Sequence, residues 1–350
     1  MSALRWLPLA LILALPLVAA EDKKEDKSKP IGTVERLDDK LDDLLDKDAT
    51  VEKLGDGFAW TEGPVWVKGK DKKDGYLLFS DIPNNAIMKW QEGKKIEVFL
   101  EPSGYVGKRD DFKEPGSNGL LIDSEGYLIA MEHGDRRVSR LEIGKKPQDK
   151  KTLADKYDGK KLNSPNDGVF AKNGDLYFTD PPYGRMLKKD KDWAFPDCEL
   201  DFHGVYRLSK KDNKLTLMTK ELKYPNGIAL SPDEKTLYVG HSDPKNAVWM
   251  AYPIEKDGSL GKGKVFFDSS KWVGKKKGLP DGMKVDVKGN LWATGPGGVL
   301  VLTPEGKHLG TILTGVNTGN LCFGEDGSTL FIMCDKAIGR IKTKTKGLGF

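Results

Sequence analysis

The stretch LNSPNDGVFAKNGDLYFTDPPYG, residues 162–184, reads as a strand, a tight turn and a second strand. The turn is signalled by Asn173-Gly174, and DLYFTD after it is rich in β-favouring residues and ends before two prolines. Runs of the same texture recur along the chain: YLLFSD (76–81), YLIAME (127–132), TLYVGH (236–241), NLWATG (290–295) and TLFIMC (329–334). Each follows a Gly-, Asp- or Glu-containing turn, the pattern of an all-β repeat array.

Anchoring the repeat on these turns gives its register. Asn166 lies eight residues before Gly174, and the same count back from Gly126, Glu234, Gly289 and Gly327 reaches Asn118, Asn226, Asp281 and Gly319. In the first unit, which has a longer Lys-rich hairpin, Glu62 of TEGPVW takes the equivalent place. Spacings of 38 to 60 residues between these positions fit a six-bladed β-propeller with uneven loops. In that architecture the innermost strand of every blade lines a central channel, so residues far apart in sequence converge on one axis. Asn or Asp before Gly is also a common turn former. Oxygen-bearing side chains at five of the six equivalent places favour convergence.

The rest of the chain frames this domain. Arg5, an apolar run from Trp6 to Leu17 and small residues to Ala20 have the form of a secretory signal, which predicts residues 1–20 as a leader and an exported, periplasmic or extracellular product. Residues 21–33 are highly charged at their start and read as a disordered linker. Leu37, Leu41, Leu44 and Leu45 have the spacing of one helix face, so a short N-terminal helix is expected at the head of a domain covering 34–350. No later segment has the length of a membrane span. With 57 basic and 53 acidic residues, the charge is too balanced to point to nucleic acid. Three cysteines exclude a disulfide scaffold, although Cys322 and Cys334 flank one hairpin turn and are placed to face each other across it.

Glu62, Asn166, Asn226 and Asp281 offer two carboxylates and two amide carbonyls without sulfur or imidazole, a donor set suited to a hard cation. Ca²⁺ leads because it tolerates irregular geometry; Mg²⁺, Mn²⁺ and Zn²⁺ are the alternatives. A cation in an open channel suits hydrolysis of a small lactone or ester. No GxSxG elbow, HExxH helix, Walker loop or GxGxxG opening competes with that chemistry. His133 in MEHGDRRV is a candidate proton carrier at the channel mouth. Asn118 and Asn166 are candidates for contacting substrate or metal-bound water, and Asp180, in FTDPPYG, for binding a sugar hydroxyl at the rim or capping a rigid turn.

Taken together, FAWTEGPVW, SNGLLIDSEGYLIAMEHGDRRVSR, the 162–184 segment, YPNGIALSPDEKTLYVGHSD and GLPDGMKVDVKGNLWATGPGG resemble the gluconolactonase and regucalcin (senescence-marker-protein) family, in its bacterial gluconolactonase-like branch. The resemblance runs over roughly residues 50–340. It implies a six-bladed propeller that opens aldonolactones, with a divalent metal held by Glu62, Asn166, Asn226 and Asp281 and with Asp281 also moving a proton. The rivals are a non-catalytic propeller that binds a sugar or a protein over a structural calcium, and a strictosidine-synthase-like condensation that needs no such ligands. The natural lactone and the oligomeric state lie beyond the sequence.

Overall fold

The computed structural model describes residues 30–69, 74–189, 195 and 197–350. The expected leader and most of the charged linker lie outside the described residues. Among those described, six antiparallel sheets of four or five strands follow one another along the chain. Blade 1 starts with the strand Thr61–Val67, blade 2 with Ser117–Ile122 and blade 3 with Gly168–Phe170. Blades 4, 5 and 6 start with Pro225–Leu230, Met283–Val285 and Thr318–Gly324. The expected six-bladed β-propeller is the fold.

The runs that marked the repeat are the second strands of the blades, and their physical situation explains their composition. Leu128–Glu132, Leu176–Asp180 and Thr329–Cys334 are buried at every residue. Each is covered on both faces by the neighbouring blades, so the usual alternation of apolar and polar residues is lost and a continuous β-rich run remains. Between blades 6 and 1, for example, Phe331 stacks on Trp66 at 5.3 Å between ring centroids. Full burial of one such ring stabilises by about 1.5–3 kcal/mol.

The ring is closed by its beginning. Glu52–Asp56 adds to blade 6 against Ala337–Lys342, and Thr33–Arg36 adds to blade 5 against His308–Leu313. Ile31 donates its N–H to the Val51 carbonyl at 2.9 Å, so the last residues assigned to a disordered linker already belong to the propeller. The expected N-terminal helix is reduced to one 3-10 turn, Asp39–Asp43, capped by Asp38. Leu41, Leu44 and Leu45 are buried as their spacing requires, against Trp292, Val299 and Leu321, but Leu37 is exposed. Two strands bound to different blades, Thr33–Arg36 and Glu52–Asp56, bracket this segment.

The hairpin of blade 6 corrects the cysteine expectation. Cys322 pairs with Phe331 and Cys334 with Thr318, so the two cysteines sit at different levels of the ladder and are free. Burial pushes both thiols up to about 12 and keeps them protonated.

Candidate active site

The positions picked by the repeat register meet at one end of the channel. Glu62, Asn118, Asn166, Asn226 and Asp281 all line a single cavity of about 420 Å³, together with Trp60, Glu114 and Tyr183. A two-on-one irregularity at the head of each inner strand turns these residues inward. The ladder register shifts between Glu62 and Val65, Ser117 and Leu120, Pro225 and Ile228, and Thr318 and Leu321. In blade 3, Thr179 O accepts from Asn166 N while Thr179 N donates to Asp167 O, so two residues oppose one. Blade 5 repeats this with Thr294 against Asp281 and Gly282. Such bulges re-aim side chains and strengthen local twist.

Hydrogen bonds between blades lock the bulges together. Ser80 Oγ donates to Asn118 O at 2.8 Å, Thr179 Oγ1 to Asn226 O at 2.7 Å and Thr294 Oγ1 to Gly319 O at 2.7 Å. The glycines of this ring therefore serve close approach of backbones as well as turning. A Cβ on Gly63 would stand 1.8 Å from Asn118 O. Gly319, the one equivalent position without a polar side chain, makes room for a ligand candidate: a Cβ there would be 2.4 Å from Glu62 Oε1.

The bulge also brings a second layer into the channel that the register count did not find. Asp167, directly after Asn166, and Asn320, directly after Gly319, come from opposite blades and meet across the axis, with Asn320 Nδ2 3.4 Å from Asp167 Oδ2. Lys284 Nζ lies 3.9 Å from the same oxygen. The only sequence signal for these residues was adjacency to a register position. In a regular strand, adjacent residues point to opposite faces.

The channel carboxylates have shifted protonation. Burial, reinforced by the Asp167 charge and opposed by the Gly63 amide, pushes the Glu62 carboxyl up to about 8. Burial first and repulsion from Glu62 second hold the Asp281 carboxyl well above the ordinary range. Nearby cations are engaged elsewhere, Lys276 with Glu35 at 3.2 Å and Lys284 with Asp167. Asn118 Oδ1 is buried without a hydrogen-bond partner. Asn226 Nδ2 donates to Ser242 Oγ at 3.0 Å, and that hydroxyl donates to Pro280 O, while the Asn226 side chain also hydrogen-bonds the Asp281 carboxyl. Among the described residues no three His, Cys, Asp or Glu side chains gather as a ligand group. The ring instead mixes two carboxylates lacking a cationic partner with amide oxygens, one of them orphaned, and this donor set fits a hard divalent cation.

Two expected site residues are placed elsewhere. His133 is fully buried beside Asn166 and is not among the cavity's lining residues, away from the mouth where its sequence position placed it. Asp180 is also fully buried, and its Oδ2 accepts from Asn163 N at 2.8 Å, which fixes the loop entering the inner strand of blade 3 and leaves no oxygen at the rim. Burial, opposed by the Asn163 and Ser164 amides, pushes the Asp180 carboxyl up to about 7. The folded state thus holds this proton more tightly than the unfolded chain, and stability is lost as pH rises from about 4 to 7, by up to about 4 kcal/mol. Asp180→Asn should flatten that slope. Urea midpoints at about pH 5 and about pH 8 check this, and equal pH slopes in both proteins would refute it.

The family SMP-30/Gluconolactonase/LRE-like region matches residues 60–335, the interval that holds all six inner strands. The chain belongs to this family. A gluconolactonase of Zymomonas mobilis is 37% identical over 99% of this chain and 97% of its own length. Among solved structures, a gluconolactonase from Xanthomonas campestris is 31% identical, with a TM-score of 0.75 over 90% of this chain and 95% of its own. Regucalcin from Agrobacterium tumefaciens, described as calcium-binding, shares the fold at 20% identity and a TM-score of 0.62, over 83% of this chain and 92% of its own. Within the SMP-30/gluconolactonase family, then, this chain has its polar ring at one end of the propeller channel and a second polar layer beneath it.

Proposed function

We propose that the protein is a hydrolase that opens a small aldonolactone of the gluconolactone kind at the Glu62–Asp281 end of the channel. The observation that carries the reading is the pair of carboxylates, buried Glu62 and part-buried Asp281, which line a cavity of about 420 Å³ together with the Asn118, Asn166 and Asn226 amides, a volume suited to a small sugar lactone. The gluconolactonases among the relatives support the same substrate class. Glu62, Asn166, Asn226 and Asp281 would hold one divalent cation, with Ca²⁺ first among the candidates. When bound, it supplies Lewis-acid polarisation of a carbonyl oxygen and balances the charge of the two carboxylates.

The chain's own groups account for the remaining work. Trp60 and Tyr183 form walls that limit water and orient the ring of the lactone. Asn118, whose oxygen has no protein partner, receives a substrate hydroxyl. An Asp281 oxygen takes the proton of the attacking water and returns it to the leaving alkoxide, which needs a carboxyl with a raised pKa, as burial provides here. We also propose, from residues 1–20 of the sequence, that the protein acts after export. Among the described residues no helix is long and apolar enough to cross a membrane.

A panel of aldonolactones and simple lactones, followed by proton release with metal-stripped and Ca²⁺-restored protein, tests the proposal. Hydrolysis of an aldonolactone that disappears on stripping and returns with Ca²⁺ is expected. Binding of the sugar without proton release would instead favour the non-catalytic reading.

A further inference from the structure

Asn166 can serve as an oxygen donor to the channel only if its amide is turned the right way, and the structure contains a device that decides this. The imidazole of His133 stands directly behind it, with Nε2 3.5 Å from Asn166 Nδ2. Its other nitrogen, Nδ1, is 3.5 Å from Glu114 Oε2 and makes no hydrogen bond among the described residues. The ring has little freedom to turn. Arg185 Nη2 donates to His133 O at 3.0 Å, and a Cβ on Gly184 would stand 2.4 Å from His133 Cβ, so the 183–185 turn is packed hard against it.

We infer that Glu114 and His133 act as positioning residues that fix the Asn166 amide with Oδ1 toward the channel. A carboxylate only accepts, so Nδ1 of the imidazole carries the hydrogen that faces Glu114. A neutral imidazole then has an acceptor at Nε2, and the group opposite an acceptor must be the NH₂ of Asn166. The carbonyl oxygen is left pointing the other way. Asn226 likewise has an acceptor at its Nδ2, the Ser242 hydroxyl on the cavity wall at 3.0 Å. Supporting groups of this kind orient ligands and set metal affinity without touching the ion.

This inference rests on the metal-binding reading above, and two measurements keep the failures apart. The first needs no metal. Nitrogen-15 spectra of metal-stripped protein labelled at histidine should show His133 with the proton on Nδ1, and a proton on Nε2 would overturn the assignment. The second is calorimetric titration of the full chain with CaCl₂. His133→Phe, which keeps a ring but offers no acceptor, should weaken Ca²⁺ binding by about 10- to 100-fold. His133→Gln, which can present an oxygen near the Nε2 position, should recover most of that loss. Melting of each variant in EDTA reports damage to the fold separately. Glu114→Gln keeps an acceptor for Nδ1 and should bind Ca²⁺ within a few-fold of wild type. Wild-type affinity in His133→Phe would overturn the inference. So would a loss in Glu114→Gln as large as that in Glu62→Gln, since Glu114 would then be a ligand itself. If wild-type protein binds no divalent cation, the metal reading fails while the tautomer still decides the orientation of Asn166.

Discussion

Asp281→Asn is expected to lower turnover of an aldonolactone by about 10²- to 10⁴-fold at saturating Ca²⁺, the usual contribution of a positioned proton carrier. Asparagine keeps an oxygen that can face a cation and nearly the same shape, but it accepts no proton near neutral pH. Asp281 lines the cavity beside Glu62, and its carboxyl is raised by burial and by that neighbour's charge. The variant therefore separates two roles that the wild-type residue combines. Should turnover recover substantially as Ca²⁺ is raised, Asp281 only holds the ion and the proton passes through another group. Glu114, the remaining carboxylate on the cavity wall, is then the group placed to take it.

Glu62→Gln should have its largest effect on metal binding rather than on the proton step. Glu62 is nearly fully buried, and one of its oxygens already accepts from Gly63 N at 2.9 Å, so the carboxylate is fixed before any ligand arrives. Removing its charge halves the negative charge of the proposed ring, Glu62 plus Asp281, while the amide preserves the shape that Gly319 accommodates. Ca²⁺ bound only to the folded state stabilises by about 2.7 kcal/mol when free ion is 100 times the dissociation constant. Wild-type protein should therefore melt earlier in EDTA than in Ca²⁺, and Glu62→Gln should lose most of that difference while retaining its β-rich circular dichroism. Identical melting of the wild type with EDTA and with Ca²⁺ would count against a cation in the channel. A fully responsive variant would take Glu62 out of the ligand set.

The regularity that made the fold legible also made most of the site legible. Second strands such as TLFIMC are buried on both faces, so they stand out as apolar β runs, and each turn that precedes them counts back to the head of an inner strand. That count reached Asn118, Asn166, Asn226 and Asp281, with Glu62 in the equivalent place of the first unit, and these five do share one cavity. Departures arose where a residue's surroundings come from another blade or loop. His133 and Asp180 carry reactive side chains near strand ends, but the 183–185 turn seals the first and the backbone entering blade 3 engages the second. Glu114 lies in a loop outside the repeat, where no spacing argument applies, and only the folded chain puts it on the cavity wall.

The sequence by itself determined the blade count, the all-β class and the five polar positions around the axis, because these depend on local turn chemistry and on periodicity. Tertiary structure alone decided the second layer and the orientation of the amides. A bulge turns Asp167 and Asn320 into the channel beside their neighbours, against the alternation of a regular strand, and they meet there from opposite blades. An amide's sense depends on the donor or acceptor behind it. For Asn166 that group is His133, 33 residues earlier in the chain and adjacent only once the blades have closed into a ring.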